Sequence, residues 1–157
     1  MNIKTLGRLV ASVAISFAAG GLGSLATIPN IPTWYVTLDK PPLLPPNEVF
    51  GPVWTVLYLL MGIALFLVWN RHTKDSATKA YYAFGLQIVL NTIWSIVFFG
   101  LHLPWLGVVV IAGLIMAIIW TMFEFKKHSS LAMWLLAPYL AWVCFATYLT
   151  TGVAFLN

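Results

Sequence analysis

The sequence predicts an all-α membrane protein, a five-transmembrane-helix bundle with a proline-rich loop between helices 1 and 2. Three observations predict it. Of 157 residues, 61% are hydrophobic and only 8% charged, and the mean hydropathy is +0.92, which excludes a water-soluble globule. The apolar residues fall into five runs, about 8–28, 49–69, 80–101, 105–125 and 131–155. Each is near the roughly 20 residues that cross a bilayer. The long stretch outside these runs, within Trp34–Tyr58 (WYVTLDKPPLLPPNEVFGPVWTVLY), carries four prolines in seven residues. The whole chain, 1–157, reads as a single transmembrane domain.

The first run follows Lys4 and Arg8. Its apolar core is too long for a signal peptide and lacks the polar segment before a cleavage site. Its small residues, among them Ala18, Ala19, Gly20, Gly21 and Gly23, would let a neighbouring helix or a flat ligand approach the backbone. In the strap that follows, Pro41, Pro42, Pro45 and Pro46 remove backbone donors and fix φ, so 40–46 should be stiff and extended. Asn47 is placed to cap helix 2, or Pro52 to occupy its first regular position. A short polar loop with Arg71, Lys74, Asp75 and Lys79 separates helices 2 and 3, and His102 with Pro104 makes a tight return into helix 4. Helix 5 contains Pro138, which should free the Trp134 carbonyl and bend the helix.

A net charge of +4 invites a nucleic-acid reading, but the charges are short clusters between apolar runs and serve better as topology signals. No nucleic acid is expected as a partner. Seven Lys and Arg residues fall on one side and only Lys40 on the other, so the N-terminus should be cytoplasmic and the strap outside, most simply in a bacterial cell membrane. Cys144, the one cysteine, rules out an intrachain disulfide.

Chemistry-bearing groups are sparse. No ionisable residue sits mid-span; Glu124 lies near the end of helix 4, beside Lys126 and Lys127. An ion-coupled transporter would want a buried carboxylate or histidine. His72, His102 and His128 stand at span ends, so no pair can ligate a haem iron in the bundle core, and no Cys/His spacing suggests a metal. With no nucleophile–base pair and no phosphate loop, no resident cofactor is expected.

The remaining polar groups are neutral. Gln87, Asn91 and Ser95 recur at spacing four on helix 3, with Trp94 beside them and Phe98 continuing the stripe. Such groups either glue helices together or anchor a ligand. Helix 5 offers Tyr139, Trp142 and Ala146 on one face; helix 2 offers Trp54, Tyr58 and Met61 or Gly62. The aromatics near the strap, including Trp34, Tyr35 and Phe50, either form an interfacial belt or line a pocket under the strap. Eight tryptophans exceed what a belt requires. The small residues Ala80, Ala83 and Gly85 on helix 3, or Gly113 and Ala117 on helix 4, are compatible with dimerisation by close backbone packing.

At these residues the chain resembles the TspO/MBR family, which includes bacterial tryptophan-rich sensory proteins and the mitochondrial translocator proteins, also called peripheral-type benzodiazepine receptors. The resemblance runs from about Trp34 to the end, carried by WYVTLDKPPLLPP, VFGPVWTVLYLLMGIAL, LQIVLNTIWSIVFFG and APYLAWVCFATYLTTGVAFLN. It implies a five-helix bundle, usually a homodimer, here through helix 3, with a pocket closed by the loop after helix 1. It also implies porphyrin ligands such as protoporphyrin IX and haem, isoquinoline carboxamide and benzodiazepine drugs and, in animals, cholesterol. Carried over by position, the pocket would comprise Tyr35, Pro45, Phe50, Trp54, Tyr58, Asn91, Trp94, Ser95, Trp142 and Ala146. Two departures stand out. Leu43 and Leu44 lie where many relatives have tryptophan, and no Lys or Arg follows Tyr148, which removes the support for a sterol motif. Three functions follow from the resemblance. The first is a receptor or sensor for porphyrins and drug-like ligands. The second is a light- and oxygen-dependent porphyrin-degrading enzyme using Trp54 and Trp142 as redox groups. The third, a porphyrin or sterol transporter, finds no coupling-ion site or inverted repeat in the sequence.

Overall fold

A computed structural model describes residues 2–71 and 77–157. His72, Lys74 and Asp75 of the expected polar loop lie outside the described residues. Among the described residues six α-helices build five spans: α1 (Ile3–Thr27), α2 (Asn47–Arg71), α3 (Ala77–Ser95), α4 (Pro104–Lys126), α5 (Ser130–Leu135) and α6 (Ala137–Leu156). All five spans are long and apolar enough to cross a membrane. The expected five-helix bundle is therefore observed, with shifted ends. α1 begins at Ile3, capped by the Asn2 side chain, which accepts from the Thr5 N–H. Lys4 and Arg8 thus sit inside the helix, because charges mark the membrane surface without ending helical hydrogen bonding.

Around the bundle the packing order is α2, α1, α3, α4 and then α5 with α6, and α5 closes the ring against α2. Small residues set the close approaches. A Cβ added at Gly62 of α2 would stand 2.6 Å from the Val13 Cα of α1, and the Thr92 hydroxyl of α3 donates to the Ala19 carbonyl of α1 at 3.1 Å. Ala80, Ala83 and Ala117 are buried within the single chain, where α3 lies against α4. They serve internal packing and cannot form a dimer face. The exposed stripe of α3 is instead Tyr82, Leu86, Val89 and Ile93, spaced four, three and four.

Two interruptions shape the strap end. α3 runs on into a wider turn, Ile96–Gly100, where the Leu101 N–H donates to the Ile96 carbonyl at 2.8 Å. Such π-type turns widen a helix at the cost of regular bonding and recur at functional sites. His102 then takes φ 56°, and its ring stacks on Trp34 at 4.3 Å. Its Nε2 lies 2.9 Å from the Asn30 Oδ1. The Asn30 amide nitrogen already donates to the Ala26 carbonyl, so Oδ1 is the acceptor and His102 Nε2–H the donor. The fifth span breaks at Leu136 between α5 and α6, two residues before Pro138, as the missing N–H requires.

The strap is not uniformly extended. Leu43 has φ 68°, and Pro42–Leu43 forms a turn with proline first and a positive φ second, the pattern of a type II turn. This corrects the expectation of a straight polyproline segment, which proline content supports and leucine does nothing to contradict. α2 starts at Asn47, and Pro52 lies in its second turn rather than at its first position. At the opposite end Lys127 donates to Glu124 at 2.8 Å, as the spacing suggested.

Candidate functional site

Spacing four on α2 brings Phe50, Trp54 and Tyr58 onto one face. Trp54 and Tyr58 stack at 5.6 Å and 26°. From α6, Trp142 meets Phe50 edge-on at 5.8 Å, and from α3, Trp94 stacks on Phe98 at 5.7 Å and 14°. Between these walls lies a cavity of about 520 Å³, within the roughly 300–1,000 Å³ common for small-molecule sites.

Of the ten residues expected there, Tyr35, Phe50, Trp54, Tyr58, Trp94, Ser95, Trp142 and Ala146 line the cavity. Pro45 and Asn91 do not. The strap meets the end of α6 through Asp39, Pro41 and Pro42, and Pro45 lies beyond the Pro42–Leu43 turn, outside the cavity lining. Asn91 is buried behind the wall, where it accepts from the Tyr58 hydroxyl at 2.7 Å and donates to the Tyr139 hydroxyl at 3.2 Å. Asn91 therefore ties α2, α3 and α6 together and fixes the phenol of Tyr58, so gluing helices and shaping the pocket are one role. Tyr139 is fully buried and meets Trp54 edge-on at 6.2 Å. Gln87 is also behind the wall, its amide nitrogen 3.9 Å from the Met61 sulfur.

Other wall residues come from α1, the turn after α3, and α6: Gly20, Gly23, Ser24, Phe98, Phe99 and Thr150. The glycine run and Phe98 were visible signals, but side chains without distinctive chemistry give no reason to single them out. A Cβ at Gly20 would fall 2.4 Å from the Tyr58 ring, so this glycine makes room for the aromatic wall.

Among the described residues, none that lines the cavity is charged. The buried indole N–H groups of Trp94 and Trp142 have no acceptor among the described residues. Tyr35 is buried at the strap end, and burial pushes its phenol above the ordinary tyrosine range, keeping it a neutral hydroxyl. The Lys40 ammonium lies 5.0 Å from the centre of the Tyr35 ring, one residue removed from the cavity. Trp105, Trp120 and Trp134 face outward, so the tryptophans divide between belt and pocket. The arrangement is suited to holding a flat apolar body between aromatic faces, with few polar anchors.

The TspO/MBR family model matches residues 12–156. The tryptophan-rich protein TspO of Archaeoglobus fulgidus is 44% identical over 158 aligned residues, covering 100% of this chain and 99% of that protein. The protein of the same name from Chlorobaculum tepidum is 39% identical with the same coverage. Human translocator protein is 38% identical over 122 residues, covering 74% of this chain and 70% of its own length. With the family pattern spanning nearly every residue and all five membrane helices in place, the chain belongs to the TspO/MBR family and is a multi-pass integral membrane protein.

Proposed function

We propose that this protein is a membrane receptor or sensor that captures porphyrins, such as protoporphyrin IX and haem, and drug-like hydrophobic molecules in the cavity at the strap end. The observation that carries the reading is an uncharged cavity of about 520 Å³ with Trp54, Trp94 and Trp142 on three different helices around it. Aromatic walls favour a flat conjugated ring by stacking and edge contacts. Carbonyl or carboxylate oxygens on such a ligand would give the unpartnered indole N–H groups acceptors. The relatives are named for translocation and for tryptophan content, and one from Cereibacter sphaeroides as a sensory protein.

A second reading, photo-oxidative porphyrin degradation, is favoured by the contact between Trp54 and two phenols, Tyr58 and Tyr139. A bound photosensitiser would then adjoin a chain of oxidisable rings. Tryptophan-fluorescence quenching by protoporphyrin IX, run in the dark and under illumination, tests both. Trp54→Ala should weaken quenching affinity. Trp142→Phe should keep some affinity and abolish any light-dependent product. Unchanged affinity in Trp54→Ala would remove the site, and an unchanged photoproduct in Trp142→Phe would remove the indole from the chemistry.

The same reading places the N-terminus in the cytoplasm, from the Lys and Arg asymmetry, and pairs two copies through α3. A C-terminal reporter active only in the cytoplasm would reverse the topology. Cross-linking through a cysteine at Val89, with Cys144 replaced, should trap a dimer in membranes; failure there would move the interface off α3.

A further inference from the structure

We infer that ligands enter the cavity sideways from the bilayer, through a gap between the strap-end halves of α1 and α2, while the strap stays fastened. The inference rests on the binding reading above and narrows it to ligands that partition into lipid. Two independent sets of contacts support it, one showing the strap latched and the other showing where the wall is open.

The strap is tied to the end of α6 at three neighbouring points. The Asp39 N–H donates to the Asn157 Oδ1 at 3.0 Å, and the Asn157 Nδ2 donates back to the Asp39 carbonyl at 3.0 Å. Pro41 is buried against Gly152, where an added Cβ would meet the proline ring at 2.6 Å. Tyr148 donates its hydroxyl to the Pro42 carbonyl at 2.8 Å. A two-sided amide pair, a glycine seat and a phenol bond all hold residues 39–42, so lifting the strap breaks several contacts at once.

The lateral wall differs. A residue that both lines the cavity and is exposed on the outer surface marks the edge of an opening. Of the cavity residues on α3, the turn after it and α6, Trp94, Ser95, Phe98, Ala146, Leu149 and Thr150 are buried and Phe99 and Trp142 half-buried, and none is exposed. On α1, the turn after it and α2, by contrast, Phe17, Gly21, Ile28, Gly51 and Thr55 line the cavity and are exposed. The two helices touch tightly lower down, at Gly62 against Val13 and at Gly20 against Tyr58. An added Cβ at Gly21 or Gly51 meets nothing within 4 Å. The pair therefore forms a V closed below and open toward the strap. Thr55 lies eight residues into α2, roughly 12 Å along the helix, so the opening faces the membrane rather than water. Its polar edges are already satisfied: Thr55 donates to the Gly51 carbonyl and Ser24 to the Gly21 carbonyl. A flat apolar molecule passing between them leaves no hydrogen bond broken.

The test uses full-length protein in lipid nanodiscs, with stopped-flow quenching by protoporphyrin IX. Gly51→Phe and Gly21→Phe point a ring into open space and should slow association and dissociation together, by about tenfold. Asn157→Ala and Tyr148→Phe, which loosen the latch, should leave the association rate unchanged. Faster association in the latch variants, with no slowing by Gly51→Phe, overturns the lateral route. A second arm needs no porphyrin. In a Cys144→Ala background carrying Ala146→Cys, lipid-soluble N-phenylmaleimide should label the cavity cysteine, and Gly51→Phe should suppress that labelling. Labelling by a charged, water-borne thiol reagent at an equal rate, indifferent to Gly51→Phe, also overturns it. Absence of porphyrin quenching in the unaltered protein would remove the ligand reading, while the labelling arm would still decide the route.

Discussion

At the end of the bundle opposite the strap, α5 lies against α2, and Val68, Phe84, Ile118, Phe125 and Ala132 are all at 3% exposure or less. At the strap end α6 makes far less contact with α2, and a cavity of about 520 Å³ occupies the space between them. Both ends contain aromatic residues and small residues, so composition does not distinguish them. Within the α1–α2 pair the glycines differ in what they meet. Gly62 receives the α1 backbone directly, whereas Gly20 receives only the rim of the Tyr58 ring, and Gly21 and Gly51 meet nothing. The break at Leu136 adds to this, because it lets α5 pack inward while α6 takes a separate line. One end is a packed core that carries stability; the other is a hollow whose wall, at Tyr58, is held from behind by Asn91 and Tyr139.

That contrast can be broken most forcefully at Gly62. Gly62→Leu would drive a side chain into the α1 backbone at the closed end, where little can yield. It should cost about 3 kcal/mol or more, read as a large fall in the thermal unfolding midpoint in detergent. A midpoint within a degree or two of the unaltered protein would mean the closed end is looser than its distances imply.

Asn91→Leu sharpens the boundary between the two ends. It leaves the phenols of Tyr58 and Tyr139 without their shared partner. Interhelical hydrogen bonds in membranes average about 0.6 kcal/mol, with a maximum near 1.7. A loss of about 1 kcal/mol in stability is expected, together with a modest weakening of protoporphyrin IX binding as Tyr58 gains freedom. A full loss of binding without loss of stability would instead make Asn91 a direct ligand contact, against its position behind the wall.

The smallest effect is expected at the rim. Lys40→Ala removes a cation from beside Tyr35, where it could pair with a porphyrin carboxylate. Partly exposed ion pairs contribute about 0–1 kcal/mol, so affinity should fall less than about fivefold, and only at low salt. A fall that persists at high salt would place Lys40 inside the site.

The spans and the aromatic faces were legible in the sequence because both rest on period and length, which need no tertiary information. Trp54, Trp94 and Trp142 could be separated from Trp105, Trp120 and Trp134 by their position on shared faces with polar or aromatic neighbours. The strap's path was not legible. Its prolines signalled rigidity, but its direction depends on Leu43 at φ 68°, a conformation that leucine does not advertise, and on Gly152 and Asn157 more than a hundred positions away. Nor could spacing show that the Asn91 amide turns toward two phenols rather than the cavity; that depends on Tyr139, which the sequence offered only as a member of a stripe. The α1 wall was half legible: its glycines marked close approach without saying whether a helix or a ligand would approach.

The central claim is that the hollow end is a binding site and not merely a loosely packed part of the core. It is tested most directly at Ala146, which lines the cavity from α6. The measurement is the dissociation constant of protoporphyrin IX for Ala146→Thr beside the unaltered protein, from tryptophan quenching, with thermal unfolding run on the same samples. Filling the space should weaken binding by about 1–3 kcal/mol, roughly fivefold to more than a hundredfold, while the unfolding midpoint stays where it was. Unchanged affinity with a shifted midpoint would contradict the account, since Ala146 would then belong to the core.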